Sequence, residues 1–428
     1  MIVVAGGGIT GLATGFELAS RGAEVTVLES SKRAGGVIRS AEVDGRILDW
    51  GPQRARMTAG FRRMVDALEL ESQVVTASPD LELHIYRDGR LRRLPFSVAG
   101  LAMSDVVSPM AKLRALLEPL TGGARADEAV ADLFTRKFGR DLYETVIGPL
   151  YGGLYASDPA DMRVGLSLIH VLREFGIDRS LLMPLLRRGG RIRPPAPCSF
   201  RGGMQVITDG LAKALGDALR LEAPVTGLER SGQGWRVSAD DGRVVEAREV
   251  VLATPASVTA RLLEPVAPGA ATAIGRLRYN DLGVVHLDAE TDLTGLGFKV
   301  AFGEEALSLS GVTYNDQLFG RRNLYTAYLG GARNPEVSTM DDDELAETAV
   351  RDFETTTGYR ATVLAVARER MPAWDISWEG LHEIELPEGI HVAGNWWSRP
   401  GLPGRLAEAE KVATELCTQA GLSAAEAR

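Results

Sequence analysis

The chain has 428 residues, 45% of them hydrophobic and 25% charged, an ordinary globular composition that suits two to three domains at about 100–200 residues each. Its net charge of −9 argues against a phosphate-tracking surface, so nucleic acid is not an expected partner. Two cysteines, Cys198 and Cys417, make neither a disulfide scaffold nor a zinc site, no apolar run reaches the roughly 18 residues of a membrane span, and Gly6-Gly7-Gly8 breaks the first apolar stretch too early for a signal peptide.

What remains is a cytoplasmic enzyme with reduced thiols and no metal. In chain order, Ile2-Val3-Val4-Ala5 reads as a strand buried on both faces. Residues 6–11 turn the chain, Leu12, Phe16 and Leu18 recur at helical spacing, and residues 24–28 form a second strand ending at Glu29. Asp44-Gly45 and Asp88-Gly89 each mark a hairpin turn.

From about 101 to 188 the pattern turns helical. Val130, Leu133, Phe134 and Phe138 form one amphipathic stripe, and Met110, Leu113, Leu116-Leu117 and Leu120 another; both are expected in a core rather than against lipid. Arg187, Arg188, Arg191 and Arg193 lie in a Pro/Gly-rich connection that reads as exposed. Strands return at 235–239, with a turn at Asp241-Gly242, and at 250–253. Alternation continues over 283–330, and helices are expected over 342–358 and 406–420.

Between the first strand and helix, Gly6-Gly7-Gly8-Ile9-Thr10-Gly11 satisfies G-x-G-x-x-G. Gly6 serves the tight turn, Gly8 the approach of a pyrophosphate, and Gly11 the close packing of helix on strand. Glu29 stands where an acidic side chain holds ribose hydroxyls. Arg33 and then Gly35-Gly36 follow it, an extension that a nicotinamide site does not need and that favours FAD, with Arg33 as counter-charge to the diphosphate. Residues 390–395 form another buried strand that runs into a glycine-rich loop and helix near Gly401 and Gly404.

The run from Phe138-Gly139-Arg140 through Gly148-Pro149-Leu150-Tyr151-Gly152-Gly153-Leu154-Tyr155-Ala156-Ser157-Asp158-Pro159 resembles the most specific segment of the protoporphyrinogen oxidase family, flavoenzymes of the wider amine-oxidase superfamily. Phe200-Arg201-Gly202-Gly203-Met204, Gly330-Gly331-Ala332-Arg333 and Asp49-Trp50-Gly51-Pro52-Gln53 resemble further motifs of that family, and the likeness runs nearly end to end. It implies FAD contacts at Gly6, Gly7, Gly8, Ile9, Thr10, Gly11, Glu29, Ser30, Arg33, Gly35, Gly36, Val37, Gly51, Pro52, Gln53 and Arg54. It adds Val225, Trp378, Gly394, Pro400, Gly401 and Leu402, and sets the Gly153 carbonyl against a tetrapyrrole.

The activity implied is oxidation of a porphyrinogen by hydride transfer to flavin N5, with O2 as acceptor. The cofactor does the difficult chemistry, so no catalytic side chain is expected. An Arg that binds a substrate propionate in some members is Leu83 here, which leaves protoporphyrinogen IX and coproporphyrinogen III both open. Arg54, Arg56, Arg87 or Arg173 are then candidates to meet substrate carboxylates. Alternatives are a flavin amine oxidase or desaturase on the same fold, or a tetrapyrrole carrier.

The fold expected is α/β: a Rossmann-type FAD domain over 1–70, 196–260 and 385–428, a mixed-sheet α+β substrate domain over 71–98 and 261–384, and a helical insertion over 99–195. Peripheral contact with the inner face of a membrane, and the choice between monomer and homodimer, stay open.

Overall fold

Ile2–Ala5 is buried at every position, as befits a central strand with apolar side chains on both faces. Val25–Leu28 pairs with it on one side and Glu249–Leu252 on the other, Ile2 standing opposite Val25 and Glu249. Leu219–Arg220 and Ile390–Val392 complete a five-stranded, all-parallel sheet. Helix Ile9–Ser20 joins the first two strands, and helix Leu402–Gln419 shares its core through Leu12, Leu406, Val412 and Leu416.

The computed structural model describes residues 1–174, 176–177, 179–187, 189–190, 195–240 and 242–421. Arg188, Arg191 and Arg193 of the basic connection, and Asp241 of the expected turn, lie outside the described residues. The sheet just described belongs to one unit, the described residues of Met1–Val75, Pro197–Leu277 and Gly380–Arg428. This unit also holds the hairpin Arg39–Val43 with Arg46–Trp50, turned through Asp44 and Gly45 at φ 49° and 72°. Asp and Gly tolerate that left-handed pair of conformations, which matches the twist of the flanking strands.

The other unit comprises Thr76–Ala196 and Arg278–Glu379. Its seven-stranded mixed sheet runs Thr362–Pro372, Tyr279–Asp288, Leu324–Gly330, Leu309–Tyr314, Gly297–Val300, Leu83–Arg87, Arg90–Leu94. Gly297–Val300 and Leu83–Arg87 are parallel, and the other pairings are antiparallel. Helix Asp342–Thr357, opened by an Asp341/Glu344 capping box, lays Leu345, Ala349 and Phe353 on one face of this sheet with Phe298, Val312 and Tyr325.

The helical insertion does not stand apart as a third unit. Ile85 and Leu94 of the hairpin share a core with Val106, Val107, Leu142 and Val146, so helices and sheet fold as one body. One amphipathic stripe is internal as expected: Val130 and Leu133 are fully buried and Phe134 nearly so. The other reverses expectation. Met110, Leu113, Leu116, Leu117 and Leu120 are exposed, from 48% at Leu117 to 79% at Leu120. Helix Pro109–Leu116 turns its small side inward, with Ala111 packed in the core of Val106 and Val107, and leaves its large apolar side outside. Among the described residues no helix is long and apolar enough to cross a membrane.

Candidate functional site

The glycine loop shows a different physical need at each position. Gly6 adopts φ 106°, and a Cβ there would stand 2.9 Å from the Ala253 carbonyl oxygen. At Gly11 a Cβ would collide with the Gly6 carbonyl oxygen, so helix Ile9–Ser20 reaches the strand only because this residue has no side chain. Gly8 is the opposite case. Among the described residues no atom lies within 4 Å of where its Cβ would be, which leaves an open approach to backbone at the helix N-terminus. No side chain caps that terminus, its first turn holds no acidic residue, and the first helical bond is Leu12 N–H to Gly8 O at 2.9 Å. Free N–H groups at an uncapped helix start favour an anion, and the open space at Gly8 fits a diphosphate.

Glu29 is 7% exposed, and both of its carboxylate oxygens accept hydrogen bonds. Oε2 accepts the Gly7 N–H at 2.6 Å; Oε1 accepts Ser31 N–H at 2.8 Å and the Ser30 and Ser31 hydroxyls. The acidic residue at the strand end therefore also pins the glycine loop. A side chain at Gly7 would meet Glu29 Cβ at 2.7 Å, so this glycine, which the fingerprint itself leaves free, is also required.

The second glycine pair closes over the first. Gly35 N–H donates to Gly7 O at 2.7 Å, and a Cβ on Gly36 would lie 3.3 Å from the Gly8 Cα. Arg33 has a local role that the motif did not show. Its guanidinium is turned into its own loop, donating to the carbonyls of Ala34, Gly36 and Ile38 at 3.0, 2.6 and 2.9 Å. These three carbonyls make it a brace for the glycine pair.

Val37 is 55% exposed, and its carbonyl oxygen sits against Gly51, at 2.5 Å from where a Cβ would be. Gly51 opens the 51–54 stretch, in which Gln53 is buried and Pro52 and Arg54 are partly exposed. Just before it lies a residue that motif reading had not singled out for a role. Asp49 is buried, accepting Ser40 Oγ at 2.5 Å and Met204 N–H at 2.8 Å. Ser40 and Gln205 then exchange bonds of 3.0 Å, Ser40 N–H to Gln205 Oε1 and Gln205 N–H to Ser40 Oγ. The Gly51 and Gly202-Gly203-Met204 motifs are thus tied through one carboxylate. The signal was an acid at an otherwise apolar strand position, Ile47-Leu48-Asp49-Trp50.

Val225 begins strand Val225–Ser231, two residues after Ala223, whose N–H donates to the Glu29 carbonyl at 2.9 Å. That places it beside the acidic end of the second strand, where an adenosine would lie. Helix Leu402–Gln419 also starts without a side-chain cap, at Gly401 with φ 83° and with Pro400 just before it. Arg405 holds the preceding loop by donating to Asn395 O, Ser398 O and Ser398 Oγ, and a side chain at Gly394 would strike the indole of buried Trp396.

Trp378 and Gly153 belong to the other unit. Trp378 is 2% exposed and stacked on Trp374, with centroids 5.6 Å apart at 20°. Gly153 is an exposed position in helix Gly148–Tyr155, which follows a widened π-helical turn over Tyr143–Ile147 and ends at Ala156 with φ 53°. Glycines in this segment answer to packing: Gly148 lies on the Phe302 ring, and a Cβ on Gly152 would stand 2.7 Å from Ser157 O. Among the arginines considered for carboxylates, Arg87 is engaged internally, donating to Asp141 Oδ1 at 2.6 Å and Thr145 Oγ1 at 2.7 Å. Both cysteines are free and buried, and burial pushes the Cys198 thiol up to about 11.

The family model for flavin containing amine oxidoreductase matches residues 9–416. Protoporphyrinogen oxidase 2 of Arabidopsis thaliana is 27% identical, over 92% of this chain and 89% of its own length. Coproporphyrinogen III oxidase of Mycobacterium leprae (strain TN) is 30% identical over 95% of this chain and 96% of its own. A crystal structure from Exiguobacterium sp. 255-15, named with reference to protoporphyrinogen oxidase, superimposes with a TM-score of 0.79 at 21% identity, covering 98% of each chain.

Proposed function

The chain belongs to the flavin-containing amine oxidoreductase family and is an FAD-dependent oxidoreductase, and from that premise we propose that it oxidises a porphyrinogen to the porphyrin in haem biosynthesis. The observation that carries the reading is the 138–159 segment, taken with near full-length likeness to relatives named for porphyrinogen oxidation. The substrate is protoporphyrinogen IX, giving protoporphyrin IX. Coproporphyrinogen III is a second reading, supported by Leu83 in place of a propionate-binding Arg and by the likeness to the Mycobacterium leprae protein.

FAD held here would supply the hydride acceptor, with O2 as the final electron acceptor in this reading. The chain's own part is binding, orientation and exclusion of water. The uncapped start of Ile9–Ser20 and the open backbone at Gly8 would hold the diphosphate, and Glu29 would meet the ribose while keeping Gly7 in place. Gly153 would present its carbonyl to the tetrapyrrole, whose meso carbons lose hydride in successive cycles. No side chain is assigned as acid or base, because the pyrrole-flanked carbon is already activated.

The exposed Met110, Leu113, Leu116, Leu117 and Leu120 of the second stripe supply apolar surface suited to lipid, and a cytoplasmic protein resting on the inner membrane face is the placement that follows.

The test is aerobic incubation of the purified flavoprotein with each porphyrinogen. Porphyrin fluorescence rising above the autoxidation rate supports the reading, and the ratio of rates names the substrate. No rise with either one overturns it.

A further inference from the structure

Lys299 is one of only six lysines in the chain, and motif reading gave it no role. It lies in strand Gly297–Val300, where Phe298 and Val300 face the core beneath helix Asp342–Thr357. Strand alternation turns Lys299 to the opposite face, level with Ile85 on one side and Gly311 on the other, and Gly311 is level in turn with Tyr328.

A path has been cleared for this side chain. A Cβ on Gly311 would stand 2.9 Å from Lys299 Cδ, so the stem runs across the strand where a neighbour's side chain would be. The ammonium lies 5.8 Å from the centre of the Tyr328 ring, over its face. At its far end the Lys299 Nζ is 2.8 Å, and Cε 3.1 Å, from where a Cβ on Gly153 would be. Neither Gly153 nor Gly311 has the positive φ that alone would demand glycine. At Gly153 the space a side chain would take is filled by Lys299, and at Gly311 by the Phe298 carbonyl oxygen, 2.6 Å from where a Cβ would be, together with Lys299.

The construction delivers a cation to an exposed stretch of backbone, since Gly153 and its neighbour Leu154, 61% exposed, line the surface there. Two arginines of this unit lie on acidic partners: Arg87 is drawn to Asp141, and Arg333 lies on the Phe302 ring with Asp158 at 2.9 Å.

We propose that Lys299 is a specificity-determining residue that receives a carboxylate of the substrate at the Gly153 face. The inference rests on the reading of the substrate as an anionic tetrapyrrole. An ammonium held over an aromatic face, with part of its hydration replaced by protein, is a directional donor for a carboxylate. Leu83 removes one expected cation and Lys299 supplies another from a different strand.

The test uses the flavin-loaded full chain with coproporphyrin III and, separately, its methyl ester, which has the same ring and no free carboxylate. In fluorescence titration, Lys299→Met is expected to weaken the free acid by about tenfold or more and to leave the ester nearly unchanged, the loss of one charge-assisted hydrogen bond. Lys299→Arg restores most of the acid's affinity. In turnover with coproporphyrinogen III the Met variant raises KM by a similar factor and leaves kcat near the parent value. Unchanged acid affinity, or equal losses for acid and ester, overturns the proposal. Should Lys299→Met fail to fold, Lys299→Gln, which keeps a polar stem of similar reach and removes the charge, is put through the same acid and ester comparison. A parent protein that binds the acid through Lys299 but oxidises no porphyrinogen would overturn the oxidase reading and leave the carboxylate site standing.

Discussion

Two glycines three residues apart in one motif answer to different forces, and that difference can be measured. Gly8 faces open space, so Gly8→Ala costs the apoprotein little beyond a helix-start preference, yet its methyl stands where the diphosphate approaches. The expected result is a protein with unchanged thermal midpoint without flavin and a sharply reduced flavin content as purified. Gly11 faces the Gly6 carbonyl oxygen, so Gly11→Ala must push helix and strand apart. Overpacking of this kind costs about 1–3 kcal/mol, so this variant loses stability whether or not flavin is present. Thermal melts of both variants, with flavin absorbance before and after unfolding, separate the two. Equal melting of the two apoproteins would remove the distinction drawn between cradle and packing contact.

At the scale of elements, the helical part of the second unit is closed around a buried ion pair. Lys137 of helix Val130–Phe138 is 2% exposed and Glu118 is fully buried. Lys137 Nζ donates to Glu118 Oε1 at 2.9 Å, Gly122 O at 2.9 Å and Arg179 O at 2.7 Å, which uses its three protons. Glu118 also accepts the N–H of Leu181 at 2.9 Å and the Ser180 hydroxyl. Burial alone would raise the Glu118 pKa, but Ser180, Lys137 and Leu181 outweigh it and hold the carboxyl below its usual value. A carboxyl depressed in the folded state contributes stability at neutral pH, and the contribution is lost as pH falls through that depressed value. Lys137→Met leaves the carboxylate buried without its cation and is expected to cost about 3–5 kcal/mol near pH 7. Once pH has fallen below that depressed value Glu118 is protonated in both proteins, so the gap narrows over the range from neutral pH down to it. Denaturant titrations across that range check both size and sign, and a gap that widens on acidification would contradict the assignment.

Which parts of this were legible in the sequence follows from the range of the forces involved. The opening strand-loop-helix-strand, the Asp44-Gly45 and Asp88-Gly89 hairpins and helix Asp342–Thr357 depend on neighbours a few residues away, and local pattern found them. Periodicity also showed that Met110, Leu113 and Leu117 share a helix face. It could not say whether that face or the Ala111 side meets the core, because the answer lies in Val106 and Leu142. Asp49 and Met204 are 155 residues apart, and Glu29 reaches back 22 to Gly7, so neither bond is written in a motif. Arg33 was visible as a cation near the glycine pair, but its direction is set by the carbonyls of Ala34, Gly36 and Ile38.

For the whole molecule, the proposed contact with lipid would combine a net charge of −9 with an exposed apolar stripe. Anionic headgroups would repel the protein at long range, whereas apolar insertion needs no charge on the lipid. Binding to phosphatidylcholine vesicles is therefore expected to be insensitive to salt, and an admixture of anionic lipid should not strengthen it at low salt. Leu113, Leu116 and Leu120 are 57%, 65% and 79% exposed, so replacing all of them by Gln removes little packing and should leave the thermal midpoint in place. Each Leu taken from water contributes about 1 kcal/mol or more, so the combined variant should partition roughly a hundredfold more weakly. Cosedimentation of parent and variant with vesicles of each composition reads all of this. Binding that needs anionic lipid, or that survives the Gln replacements, would move the contact away from this stripe and onto a basic surface.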